Sequence, residues 1–329
     1  MSNNPLSITS LYTHISEDLL AMEEKLRSLA DTSLMTGPLK SVVDHITTSE
    51  GKRLRPALTL LSSRFSRCDS SKPILMATAV ELLHMATLIH DDTVDNSTLR
   101  RGKATVDNLW GKNAAVLIGD YLFATSATFV CDTENIHVIK RFSQTISELS
   151  LGELAELFSA FEINQTITDY ETRIYNKTAS LFYTSTQSGA ILSGADTTTT
   201  TALSNYGLNI GMAFQILDDI LDYESTTEES GKPVGNDLLQ GTVTLPVLLM
   251  AKHYPQSVKT LKLFDEVGRP DRIAEFVESI KDSSVLDESY SVAWNYIDKA
   301  LADISKLPAQ KERQDLEDLA NYLKQRKFK

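Results

Sequence analysis

Apolar residues recur at helical rather than alternating spacing along almost the whole chain, as at Ile74, Ala77, Val80 and Leu83 and again at Ile210, Ala213, Ile216 and Leu217. Strands need a period of two, so this spacing argues against a sheet protein and predicts an all-α fold. The pattern breaks at Gly37-Pro38 and over residues 62–73, 132–135, 162–169 and 193–201, where Gly194 suits the position just past a helix end. None of these breaks is long enough to link domains, and no solenoid repeat is visible. The 329 residues therefore read as a single large helical bundle, one domain over 1–329. The longest polar stretch, residues 224–237 (ESTTEESGKPVGND), has the length and composition of a binding loop or lid.

Composition narrows the partners. With 42% hydrophobic and 23% charged residues the chain is rich enough in apolar side chains to fold, and its net charge of -12 opposes nucleic acid or an anionic membrane as a general partner. At most peripheral membrane contact is expected, because no uninterrupted apolar run approaches the length of a spanning helix. Cys68 and Cys131 form no CxxC pair, so neither a disulfide framework nor a thiolate zinc site is indicated. Together with an amino-terminal MSNNPLSITS that lacks the features of a secretory leader, this predicts a cytoplasmic protein.

Two acidic motifs stand out. Asp91, Asp92 and Asp95 (DDTVD) follow the apolar VELLHMATLIH, and Asp218, Asp219 and Asp222 (DDILD) repeat the spacing after IGMAFQIL. On a helix, residues four apart have Cβ atoms roughly 6 Å from each other, so each motif forms a carboxylate face. One solvated acidic turn would be unremarkable, but two copies beside apolar helices concentrate like charge where a cation must offset it. Hard, oxygen-loving Mg²⁺ suits such faces. Two basic clusters accompany them, Lys52-Arg53-Leu54-Arg55 and Arg100-Arg101-Gly102-Lys103, and guanidinium forks with lysine point charges suit capture of a diphosphate. For either cluster alone, a basic helix end is an equal reading. A P-loop is excluded, since neither Gly51-Lys52 nor Gly231-Lys232 is followed by Ser or Thr. His84 and His90, six residues apart, fall on different helix faces and do not form a zinc pair; His84 reads equally as a phosphate donor or a core histidine. Lys177, Thr178, Gln215 and Lys232 are uninformative singly, and Phe214 reads as core.

Taken together, GKRLRP, HMATLIHDDTVDNSTLRRGKATVDNLWG, VLIGDYL, GEL, NKTASLF, FQILDDILD and GKPVGNDLLQGTVTLP resemble the trans-isoprenyl diphosphate synthases, the polyprenyl synthetase family, most closely the catalytic component of bacterial heptaprenyl and hexaprenyl diphosphate synthases. The resemblance implies an isoprenoid-synthase bundle with a deep central cavity across which the acidic motifs face one another. It also implies a Mg²⁺-assisted, head-to-tail condensation of isopentenyl diphosphate with an allylic diphosphate primer. Asp91, Asp92, Asp95, Asp218, Asp219 and Asp222 would hold the metal, three Mg²⁺ per site with substrate bound. Arg100, Lys177, Thr178, Gln215 and Lys232 would contact the allylic diphosphate. Lys52, Arg55, His84 and Arg101 would bind isopentenyl diphosphate, with Phe214 packing nearby. The family further implies a homodimer, or a heterodimer with a small non-catalytic subunit.

Three points refine that expectation. Thr242 stands where many members carry lysine, and Glu156 where the GExxQ segment has glutamine. Four and five residues before Asp91 stand Thr87 and Ala86, where short-chain members carry bulky aromatics, so a growing chain would run past Ala86 toward Leu83 and Leu82 to a long product. Phe123 or Phe129 would mark where it stops. Competing expectations are a shorter-chain farnesyl or geranylgeranyl diphosphate synthase, a terpene cyclase, and a non-catalytic partner subunit of the same fold.

Overall fold

The computed structural model describes residues 13–31, 36–48, 51–66, 69–100, 102–224, 234–256, 264 and 268–325, and its fold is the all-α one expected of the sequence. The predicted breaks fall between helices, but three are shorter than expected, the one over 62–73 because its flanking helices run to Ser63 and start at Ser71. The helix over Ile167–Ile174 starts there because Thr166 and Asp169 form a reciprocal capping box, and the helix over Thr197–Glu224 starts in spite of its run of threonines. The chain forms two compact units, Met1–Gln144 with Thr184–Ser204 and Lys306–Leu319, and Thr145–Tyr183 with Asn205–Ser305 and Ala320–Lys329.

In the first unit, α1 (Ser16–Ser28), α2 (Pro38–Thr47) and α3 (Leu54–Ser63) lead to α4 (Ser71–Val94) and α6 (Lys112–Cys131), which pack along each other. Gly37 at φ +55 with Pro38 at the first helical position starts α2. Helix α4 is buried nearly all round, the mark of a core helix. Arg53, in the left-handed region, opens α3 and donates to Glu81 of α4 at 2.6 Å, so one member of the first basic cluster is a structural tie. His90 of α4 comes close against α6 because Gly119 has no side chain; a Cβ there would sit 2.1 Å from its Nε2.

Between α4 and α6 the structure departs from the expectation. Leu99–Arg100 (β1) and Lys103–Ala104 (β2) form a small antiparallel ribbon turning at Gly102, φ +77, followed by the short α5 (Val106–Trp110). Arg100 and Lys103 of the second basic cluster are thus on strands of this ribbon and not on a helix end. Although no uninterrupted apolar run approaches spanning length, α4 and α6 are each long enough and apolar enough on average to cross a membrane by length and composition. The most apolar 18-residue window is 67% buried in α4 and 33% buried in α6.

The second unit holds the carboxyl-terminal part of α7 (Ile136–Phe158), α8 (Ile167–Ile174), a π-helical turn over Tyr175–Ala179, the start of α9 (Ser180–Leu192) and most of α10 (Thr197–Glu224). Helices α11 (Asn236–Leu239), α12 (Leu245–His253), α13 (Arg269–Lys281) and α14 (Val285–Ile304) follow, and α15 (Lys311–Gln325) ends the described chain. Two glycines seat the π-turn. A Cβ on Gly152 of α7 would lie 2.6 Å from the Lys177 backbone nitrogen, and one on Gly211 of α10 would lie 2.6 Å from Ala179 Cα.

Candidate active site

Both acidic motifs occupy helix C-termini. Asp91 and Asp92 lie in the last turn of α4, which Asp95 closes through its N–H to the Asp91 carbonyl at 2.8 Å, and Asp218, Asp219 and Asp222 lie in the last two turns of α10. A helix C-terminus carries the negative end of the macrodipole, so carboxylates there are disfavoured without a cation. The sequence pattern shows the clustering but not this pole, which depends on where each helix stops.

In the first unit the three aspartates differ in setting. Asp92 is buried, and both its oxygens accept from Arg100 Nε at 2.9 and 2.8 Å, which ties the hairpin to α4. Asp91 is half-buried and Asp95 exposed. Arg55 Nη1 lies 3.2 Å from His84 Nε2, so the structure brings together two residues expected to bind isopentenyl diphosphate. Lys52 is exposed. Ala86, Leu83 and Leu82 are fully buried, whereas Thr87 is half-buried and donates to the His84 carbonyl at 2.8 Å. Phe123 and Phe129, both half-buried, lie on α6. Arg101 lies outside the described residues.

The second unit gathers more of the expected residues. Asp219 is buried; one oxygen accepts from the Tyr170 hydroxyl at 2.6 Å and the other from Gln215 Nε2 at 2.8 Å. Burial pushes its carboxyl up to about 7, although these two hydrogen bonds pull it down. Gln215 Oε1 in turn accepts from the Thr178 hydroxyl at 2.5 Å, linking the π-turn to α10. Such π-turns recur at functional sites. Phe214 is half-buried and packs on Phe182, ring centroids 5.4 Å apart. Asp218 is exposed. Asp222 caps α11, accepting from the Asn236 and Asp237 N–H groups at 3.1 and 3.0 Å. Lys177 Nζ is held by Glu156 at 2.6 Å and Glu153 at 3.2 Å. Lys232 and the centre of the expected lid, 225–233, lie outside the described residues.

Several residues were not singled out by the motifs. Tyr170 meets Asp219 across 49 residues of sequence, a separation that carries no local signature, whereas Glu153 belongs to the GEL motif and its partner Lys177 lies 24 residues away. Asp237 lies in the polar stretch already noted. Burial, and then the charges of Asp222, Asp219, Glu156 and Asp218, push its carboxyl well above the usual range. Glu156, whose effect the sequence leaves open, is now placed against Lys177, while Thr242 donates its N–H to the Asp237 carbonyl at 2.8 Å.

The donor set fits a hard divalent cation. It is all carboxylate, the oxygen donor type that such a cation prefers. Among the described residues no three His, Cys, Asp or Glu side chains are gathered as a preformed metal cage. Mg²⁺ tolerates such a set, because it keeps several waters and takes phosphate oxygens to complete its octahedron.

The comparisons bear on what these residues serve. The family model described as polyprenyl synthetase matches residues 37–280. The chain belongs to the polyprenyl synthetase family. Like its relatives it is an enzyme of prenyl transfer, a prenyltransferase. Heptaprenyl diphosphate synthase component 2 of Bacillus subtilis is 38% identical, over 99% of this chain and 92% of its own. A crystal structure of heptaprenyl diphosphate synthase from Staphylococcus aureus superposes with a TM-score of 0.91 at 35% identity, over 98% of this chain and 99% of that one. A polyprenyl synthase from Caulobacter crescentus, complexed with calcium and isoprenyl diphosphate, gives a TM-score of 0.90 at 32% identity, over 99% of each chain. Other relatives are solanesyl and geranylgeranyl diphosphate synthases, so product length varies among the proteins this chain is similar to.

Proposed function

We propose that this chain condenses isopentenyl diphosphate with an allylic diphosphate, head to tail and in trans geometry, to make a long-chain polyprenyl diphosphate of the heptaprenyl or hexaprenyl class. The observation that carries this reading is the placement of both acidic motifs at helix C-termini, where clustered carboxylates call for cations. Bound Mg²⁺, three ions per site in this reading, supplies charge neutralisation for the departing diphosphate.

The chain's own residues bind, orient and exclude water. Asp91, Asp92, Asp95, Asp218, Asp219 and Asp222 provide the carboxylate faces, with Asp92 and Asp219 fixed by Arg100 and by Tyr170 and Gln215. Arg100, Lys177, Thr178, Gln215 and Lys232 hold the allylic diphosphate against the charge that develops on ionisation. Lys52, Arg55, His84 and Arg101 hold isopentenyl diphosphate so that its double bond meets the allylic carbon, with Phe214 beside it. No protein nucleophile is needed, and the departing diphosphate accepts the proton lost from the adduct. Of the three residues expected to set chain length, half-buried Thr87 puts no aromatic plug on the path along α4, which supports the long product, while Ala86 and Leu83 are buried in the core.

The relative named component 2 supports a second, smaller subunit as partner; a homodimer is the other assembly the family implies. We place the enzyme in the cytoplasm. The test is incubation of the purified chain with Mg²⁺, labelled isopentenyl diphosphate and farnesyl or geranylgeranyl diphosphate, with products resolved by chromatography. A ladder ending at six or seven isoprene units, from the chain alone or after adding a small subunit, is the expected result. A ladder that stops at farnesyl or geranylgeranyl diphosphate, or a cyclised product, would overturn it.

A further inference from the structure

The basic side chain of the π-turn is clasped by two carboxylates of α7. Lys177 Nζ lies 2.6 Å from Glu156 Oε1 and 3.2 Å from Glu153 Oε2, and the second oxygen of Glu156 lies 3.9 Å from Arg173 Nε. Glu153 and Glu156 are three residues apart and so share one helix face. The clasp is built into the backbone: Gly152, on the same helix, lets the π-turn come so close that a Cβ would collide with the Lys177 nitrogen. Its three side chains are partly exposed, at 28% for Lys177, 27% for Glu156 and 41% for Glu153. Pairs of that exposure add little to stability, which leaves placement of the charge as the consequence.

A lysine that faces two carboxylates is over-neutralised and drawn toward α7. A diphosphate oxygen that takes this ammonium must compete with Glu156, the closer partner and the one shared with Arg173. Glutamine at this position would offer an oxygen without the charge. We propose that Glu156 is a positioning residue that holds Lys177 withdrawn until a diphosphate arrives, and so sets the threshold of diphosphate affinity. The proposal rests on the prenyl-transfer reading and assigns Glu156 a part in it.

Calorimetric titration of inorganic pyrophosphate into the full chain, at stepped Mg²⁺ concentrations, tests this with wild type, Glu156→Gln, Lys177→Ala and the double variant. Circular dichroism and Tm confirm that each is folded. Glu156→Gln should tighten pyrophosphate about fivefold, the scale of one partly exposed ion pair, and lower the KM for the allylic substrate more than it changes kcat. The gain should vanish when Lys177 is alanine. Unchanged or weaker binding by Glu156→Gln would overturn the clasp, and so would an equal gain in the Lys177→Ala background, which would assign the effect to bulk charge. Absence of pyrophosphate binding in all four proteins would overturn the functional reading beneath it.

Discussion

Replacing Gly152 by alanine should damage activity more than stability. The new Cβ would stand 2.6 Å from Lys177 N and 3.0 Å from both Asn176 C and Lys177 Cα. These are backbone atoms, so no side-chain rotation relieves the clash. Reaching ordinary contact at 3.4 Å moves the π-turn away from α7 by about 0.8 Å. Overpacking of this kind costs about 1–3 kcal/mol, and the gain in helix propensity from Gly to Ala returns about 1 kcal/mol, leaving a net loss of about 0–2 kcal/mol. The same shift carries Lys177 and Thr178 with it, and a misplacement of about 1 Å at a reacting centre costs on the order of 100-fold in rate. Urea unfolding beside steady-state prenyl transfer separates the two effects. Wild-type turnover in a Gly152→Ala protein of unchanged stability would refute the argument that this glycine seats the site.

Other substitutions probe separate parts of the account. Thr87→Phe should shorten the product ladder by chromatography, and it is a cleaner test than Ala86→Phe because Ala86 is fully buried and an aromatic there overpacks the core; an unchanged ladder sinks the assignment of this wall. Gly119→Ala meets an imidazole that can swing aside, so the lost bond from His90 to the Val116 carbonyl and the helix-propensity gain should nearly cancel, leaving stability in urea unfolding within about 1 kcal/mol of wild type, and a loss above about 3 kcal/mol would contradict this. Asp219, raised by burial from 3.8 to about 7, takes up a proton on folding between those values, so stability of the metal-free chain should fall as pH rises from about 4 to 7. Asp219→Asn should make that fall shallower, and identical pH slopes for the two proteins would show that the group does not titrate as argued.

Much of this was legible because it is local. Helical spacing fixes element type, and Gly37-Pro38 and Gly194 mark ends through a required φ or a missing N–H. The DDxxD repeats announce carboxylate faces because four residues is one helical turn. The ribbon at Leu99–Ala104 escaped because its strands are two residues long, too short for alternation to register. The π-turn at Tyr175–Ala179 has no periodic signature; the close approaches of Gly152 and Gly211 seat it. Arg53 stands between Lys52 and Arg55, the two residues of its cluster expected to bind isopentenyl diphosphate, and the structure gives it to Glu81 of α4, since only the packing of α3 on α4 decides which arginine of the cluster turns to the core. Asp222 likewise doubles as the cap of α11, a role visible only once the chain returns at Gly235.

In the proposed reaction the acidic motifs at Asp91 and at Asp218 are both required for ionisation, so the rate of incorporation of labelled isopentenyl diphosphate depends on each of them. Wild type, Asp91→Ala and Asp218→Ala are compared at saturating Mg²⁺ and allylic primer, each verified as folded by circular dichroism. Each substitution should lower turnover about a thousandfold or more while leaving Tm nearly unchanged. Full turnover in either folded variant would contradict the account.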